Sequence, residues 1–209
     1  MKEGLRKAAY KGIFSLEGDW ERDLRSKLAV VHLLRFLKDT DKIPFIHKNV
    51  ATRADLEFRL GLWVQKRYRN YPILSLNFHG DPDSIWLPED RANNRPLSLD
   101  DLAEVLAGSC EGRIIHFGAC ATLDTHGNHL NAFLRRTGAL AVCGYTTDIE
   151  RRLSGALDLL LFGIMQDRAF NRAGARSILR DLQKMASKLI EQLGFRLIVE
   201  SLLLTPQSF

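Results

Sequence analysis

The sequence is short of cysteine, holding Cys110, Cys120 and Cys143 and no others. An odd count in a chain without secretory features argues against a disulfide framework and leaves room for one reactive thiol. Long apolar runs are missing too, since none reaches the roughly 18 residues that a membrane-spanning helix needs. The polar start, Met1 to Gly4, lacks a signal peptide's apolar stretch, so the expected compartment is the cytoplasm, with no membrane partner. Neither G-x-x-x-x-G-K-S/T nor G-x-G-x-x-G occurs, so nucleotide binding has no sequence support. One-sided charge is lacking as well. Thirty Lys and Arg face 25 Asp and Glu, scattered as in Glu21-Arg22-Asp23, and no nucleic-acid face follows.

What is present is ordinary globular usage, 45% apolar and 26% charged over 209 residues, enough for one large core. No repeat, low-complexity tract or linker divides residues 1–209, which read as a single domain. Gly12 to Leu16, Ile43 to Ile46, Ile73 to Phe78, Arg113 to Phe117, Ala139 to Tyr145 and Phe195 to Leu204 read as strands. Pro44 costs a ladder hydrogen bond and suggests an edge position for the second of these. Ser84 to Leu87 suggests a hairpin arm after the Gly80-Asp81-Pro82-Asp83 turn.

Helical spacing fills the intervals. Leu24, Leu28, Val31 and Leu34 predict a helix ending near Lys38, and Leu56, Leu60, Trp63 and Val64 another after the Thr52 and Asp55 capping pair. Ser98 can cap a helix from Leu99 to Leu106. Leu130 to Arg136, Leu153 to Ile164, and the stripe Ile178, Leu182, Met185 and Leu189 complete the set. The alternation predicts an α/β fold, a three-layer α/β/α sandwich of about six mostly parallel strands, with an antiparallel last strand allowed.

In such sheets reacting groups collect at the carboxyl ends of the strands. Two ends stand out: Ile73 to Phe78 runs into His79-Gly80, and Ile114 to Phe117 runs into Gly118-Ala119-Cys120. If the two strands are neighbours, about 4.8 Å apart, the imidazole can activate the thiol. A thiol near pKa 8.5 is only partly ionised at neutral pH, and an adjacent imidazole accepts its proton. The main-chain N–H groups of Gly80 and Cys120 are the natural donors for an oxyanion hole.

These two blocks resemble those of the caspase-like cysteine peptidases, the clan of caspases, metacaspases, separase, gingipains and CHAT-domain peptidases. There an apolar strand ends in His-Gly and a later one in Ala-Cys or a close variant, as Leu76-Asn77-Phe78-His79-Gly80 and Ile115-His116-Phe117-Gly118-Ala119-Cys120 do here. The spacing from His79 to Cys120 is 41 residues, against a caspase habit of about 50. The caspase pentapeptide itself is absent, because Gly118 precedes Ala119-Cys120 and Ala121-Thr122 follows it. Only Ala121 to Gly138 separates the cysteine from the next strand, too little for a cleavable linker beside a helix. The nearer resemblance is to CHAT-domain and metacaspase-related members.

That resemblance implies a caspase-like fold and a cysteine endopeptidase with Cys120 as nucleophile and His79 as base. It implies a protein or peptide substrate, no cofactor, and a setting in bacterial defence or regulated cell death, where a partner protein can act as activator. In the family the loops after the first strand and after the strand following the cysteine build the substrate pocket. Here they hold Glu17 and Asp19, and Asp148, which would favour Lys or Arg. Arg151 and Arg152, just beyond, bear on the pocket's sign.

Other readings stand beside this one. Cys110 and Cys143 read as buried structural thiols and His116 as a packed core histidine. His126 and His129, three apart in a loop, are weak support for a zinc site, and no metal is expected. A caspase-like binding or scaffold module without activity is the non-enzymatic alternative. A different hydrolase or acyltransferase on the same kind of sheet is another. The oligomeric state is left open.

Overall fold

A computed structural model of the chain describes residues 10–21, 23, 25 and 29–199. In order these form β1 (Ile13–Glu17), α1 (Val31–Asp41), β2 (Phe45–Asn49), α2 (Arg53–Trp63), β3 (Ile73–Asn77), β4 (His79–Asp81), β5 (Ser84–Trp86) and α3 (Asp90–Asn93). There follow β6 (Leu97–Ser98), α4 (Leu99–Val105), β7 (Ile114–Phe117), α5 (Gly127–Thr137), β8 (Ala141–Tyr145), α6 (Arg151–Gln166), α7 (Arg172–Gln192) and β9 (Phe195–Val199). The main sheet has the order β2-β1-β3-β7-β8-β9, all pairs parallel except β8 with β9. A second sheet, β4-β5-β6, is antiparallel.

Successive strand residues point to opposite faces, and both faces here are covered. Phe14, Leu16, Leu74, Leu76, Ile115 and Phe117 pack under α2, α4 and α5, where Trp63, Leu102 and Phe133 meet them. Ile13, Ile73, Ile114, Ala141 and Tyr145 face α1, α6 and α7 through Leu34, Phe162 and Ile178. The fold is thus an α/β/α sandwich with a six-stranded, mostly parallel sheet. Trp63 is fully enclosed, gives its indole N–H to the Tyr71 carbonyl at 2.7 Å, and lies under the Arg113 guanidinium.

Local chemistry sets the element limits. Thr52 accepts from the Asp55 amide and starts α2, while Ser98 and Asp101 form a reciprocal capping box on α4. Pro44 falls one residue before β2, at the sheet's edge, where its missing donor costs no ladder bond. Gly138, at φ +73°, closes α5 in the left-handed conformation and turns the chain toward β8.

Three expectations are corrected. The first helix begins at Val31; of the residues predicted upstream, Leu24 and Leu28 lie outside the described residues, and Ala29 and Val30 precede the helix. The stripe on α7 does not stay buried: Met185 is 62% exposed, and the helix breaks at the next residue, Ala186, with non-helical φ/ψ. The turn read at Gly80 to Asp83 shortens to Pro82 and Asp83, because His79 to Asp81 form β4, in the hairpin with β5. The part of the last predicted strand past Val199 lies outside the described residues.

Candidate active site

β3 and β7 are neighbours, with Leu76 opposite Phe117, and the Gly118 amide donates to the Leu76 carbonyl at 2.8 Å. Beyond them the chain carries His79 and Cys120 onto the wall of one cavity of about 430 Å³. Trp20, Val30 and Leu33 supply its apolar side, and Arg151, Ser154 and Asp158 of α6 the opposite side. It opens at the carboxyl ends of the parallel strands, between the sheet, α1 and α6.

His79 has a defined proton. Its Nε2 lies 2.8 Å from the Trp20 main-chain oxygen, which can only accept, so Nε2 carries the hydrogen and Nδ1 keeps its lone pair. The imidazole also meets the Trp20 ring edge-on at 5.4 Å. Burial lowers its pKa, with the Arg91 and Arg151 charges acting the same way against the Trp20 hydrogen bond. The neutral form, the one able to accept a proton, is therefore favoured near pH 7.

Cys120 is partly exposed. The turn that presents it includes Ala121 at φ +49°, left-handed backbone that an alanine adopts at a cost of order 1 kcal/mol. The Ala121 amide bonds the Thr147 carbonyl at 3.0 Å, and the Asp124 amide bonds the Ala121 carbonyl at 2.7 Å, fixing the turn. No hydrogen bond joins His79 to Cys120 among the described residues. In unliganded sites such contacts are often long and tighten with substrate.

Gly80 is where the two blocks meet. A Cβ there would collide with Thr122 Oγ1 and the Cys120 carbonyl and lie 3.0 Å from Ala119 Cβ. Asp81 and Ser84 close a two-residue loop and so form a hydrogen-bonded pair. Gly80, opposite Ile85, is then the non-bonded pair, and its N–H points away from β5.

The floor is polar. Toward the carboxyl ends, the strand positions facing α1 and α6 hold Ser15, Ser75, Asn77 and His116 in place of aliphatic residues, all buried. Asn77 Nδ2 donates to Ser15 Oγ at 3.1 Å and Ser75 Oγ at 3.0 Å, and Ser75 Oγ lies 3.3 Å from His116 Nδ1. His116 Nε2 is 3.0 Å from Asp158 Oδ1, off the line of a hydrogen bond, and Tyr145 donates its hydroxyl to the same oxygen at 2.6 Å. The reading of His116 as a core residue holds, in a polar layer. Asp158 Oδ2 takes no hydrogen bond among the described residues, and the side chain lines the cavity.

Of the three acids assigned to the substrate pocket, none lines this wall. Glu17 is 2% exposed, accepts from Trp20 Nε1 at 2.5 Å and the Val30 amide at 2.8 Å, and faces His47 at 3.4 Å. Burial raises its pKa against these hydrogen bonds. It acts on the cavity only by holding Trp20 and Val30. Asp19 meets Arg91 through its main-chain carbonyl at 3.1 Å, and Asp148 is exposed beyond β8. The carboxylate on the wall is Asp158, a lone charge inside the apolar run Leu157 to Leu161, and that anomaly was the signal in the sequence.

The remaining candidates fall elsewhere. Cys110 and Cys143 are buried, and burial pushes the Cys110 thiol up to about 12 and the Cys143 thiol well above its usual range. His129 lies 2.8 Å from Asp83 and 3.2 Å from Asp100. Among the described residues no group of three or more His, Cys, Asp or Glu is placed to hold a metal ion. None of their helices is long and apolar enough to cross a membrane.

Fold and cavity together define an α/β protein with a histidine and a cysteine at adjacent strand ends of a mostly parallel sheet. Residues 10–199 match the sequence profile described as "Family of unknown function (DUF6642)". The chain belongs to that family. No curated protein matches its sequence.

Proposed function

We propose that the chain is a cysteine endopeptidase of caspase-like type, cutting a protein substrate on the carboxyl side of a basic residue. The observation that carries this reading is the placement of His79 and Cys120, just past the ends of the neighbouring parallel strands β3 and β7, on one cavity wall.

In this reading His79 Nδ1 takes the Cys120 proton as the sulfur attacks the scissile carbonyl. The oxyanion is met by the amides of Gly80, left free by the hairpin ladder, and Cys120. Collapse breaks the C–N bond, His79 passes its proton to the leaving amine, and a thioester remains on Cys120. Water, deprotonated by His79, attacks the thioester and releases the acid and the thiol. The Trp20 carbonyl holds the ring in the tautomer that both proton transfers need.

The preference for Lys or Arg rests on Asp158 in place of Glu17, Asp19 and Asp148. It lies at the cavity floor, 5% exposed, with one oxygen uncommitted. A substrate cation there gains a charge-assisted hydrogen bond in a site of low dielectric.

The missing bond between His79 and Cys120 favours a competing reading, a binding module whose thiol is unreactive. Digestion of an internally quenched peptide library by wild type and Cys120→Ala separates the two. The peptidase reading expects cleavage after Lys or Arg by wild type alone. Intact peptides with both proteins would leave the binding module.

A further inference from the structure

The cavity carries a charge at each end, and only the floor charge is used so far. Arg151, in the first turn of α6, is an exposed residue on the wall whose guanidinium sits 4.6 Å from the centre of the Trp20 ring. An aromatic face pins an Arg head group without consuming its hydrogen-bond donors. The nearest acids are held by other partners: Glu150 binds Arg152 at 2.6 Å and Glu17 holds Trp20 and Val30, while Asp158 lies seven residues further along α6, at the floor. Among the described residues Arg151 enters no ion pair. The buried Glu17 feels its charge without pairing with it, and a planar fork of donors fixed at a cavity mouth, paired with no carboxylate among the described residues, is built to receive one from outside.

We propose that Arg151 is a specificity-determining residue that binds the carboxylate of an acidic residue flanking the basic residue seated on Asp158. The inference rests on the peptidase reading and deepens it: the substrate class is a peptide with a basic and an acidic residue side by side. A residue next to the one in the pocket leaves it at the mouth, where Arg151 stands. The same guanidinium repels a substrate with a second basic residue there, so the pair of charges selects and rejects at once. Trp20 is common to both functions, packing against the His79 ring and carrying Arg151 on its face.

Internally quenched peptides with one central Lys test this, carrying Ala on both flanks, Glu on the acyl side, Glu on the leaving side, or Lys on either flank. Wild type is expected to cut one or both Glu-flanked peptides about 10-fold faster in kcat/KM than the Ala peptide, a size set by one charge-assisted contact. The two Glu arms tell which flank Arg151 reads. In Arg151→Gln that ratio collapses to about 1, and in Arg151→Glu the order turns toward the Lys-flanked peptides. Equal turnover of Ala-flanked and Glu-flanked peptides by wild type, or a preference that survives in Arg151→Gln, overturns the assignment and leaves the peptidase reading standing. Absence of cleavage of every peptide, with no alkylation of Cys120 by iodoacetamide above that of Cys110, overturns both.

Discussion

His79 donates its Nε2 hydrogen to the main-chain carbonyl of Trp20 across 2.8 Å, while the indole of the same Trp20 donates to the buried Glu17. The proton on the candidate base is thus fixed by a main-chain atom that no side-chain substitution removes. The chain from Glu17 through Trp20 to His79 ties the end of β1 to the start of β4.

The pH dependence follows from that site. Burial, aided by Arg91 and Arg151, holds the His79 pKa below its usual 6.5. Only the neutral ring accepts the thiol proton, so activity falls as pH drops through the folded-state value. The acid limb of kcat/KM is expected below pH 6.5. A limb above 7 would assign the acid titration to another group.

Gly80→Ala inserts a methyl group against Thr122 and the Cys120 carbonyl. Pushing the hairpin off the cysteine turn should cost about 1–3 kcal/mol by denaturant melt. It should also lower kcat about 100-fold by displacing an oxyanion donor. Full activity in a stably folded Gly80→Ala would remove Gly80 from the oxyanion hole.

Asp158→Asn keeps the volume and an acceptor for the Tyr145 hydroxyl but removes the floor charge. Turnover after Lys or Arg is expected to fall about 10- to 100-fold, the worth of one hydrogen bond to a charged group. Asp19→Ala and Asp148→Ala, which lie off the wall, should change it less than about twofold. A larger loss in Asp148→Ala than in Asp158→Asn would restore the pocket to the loop after β8.

His129 bridges Asp83 of the β4–β5 turn and Asp100 of α4. Its modest burial works against protonation, but hydrogen bonds and charge from Asp100 and Asp83 outweigh it, and the pKa is raised. A raised folded-state pKa contributes stability in full below the unfolded value near 6.5, and that contribution is lost as pH rises through the folded value. The difference in Tm between wild type and His129→Gln should therefore be larger at pH 5.5 than at pH 9. Its size should stay within about 3 °C, because the ring is still 28% exposed and both carboxylates it meets are more so, which screens the pairs. An equal difference at both pH values would remove the ion pairs as its cause.

The sheet was legible because its four inner strands are fully buried and read as short apolar runs between helices, and its site because the His-Gly and Ala-Cys blocks sit at strand ends. Adjacency of β3 and β7, a condition that the sequence alone left open, brings them together. Three features were hidden for physical reasons. Leu24 to Leu34 carries a helical period, yet the helix starts only at Val31, just after the Val30 amide is tied to Glu17, a tertiary contact which periodicity cannot see. The pocket acid comes from α6, which no motif links to the strand ends. Met185 followed its stripe in the sequence but is exposed next to the break in α7 at Ala186, which periodicity does not show.

The most direct measurement of the central claim is peptide-mapped mass after exposure to a peptidyl ketone bearing Arg, beside the same warhead bearing Asp, on wild type and His79→Ala. The account predicts labelling confined to Cys120, faster with Arg, and lost in His79→Ala. Slow labelling of Cys110, Cys120 and Cys143 alike, indifferent to the warhead and to His79, would contradict it.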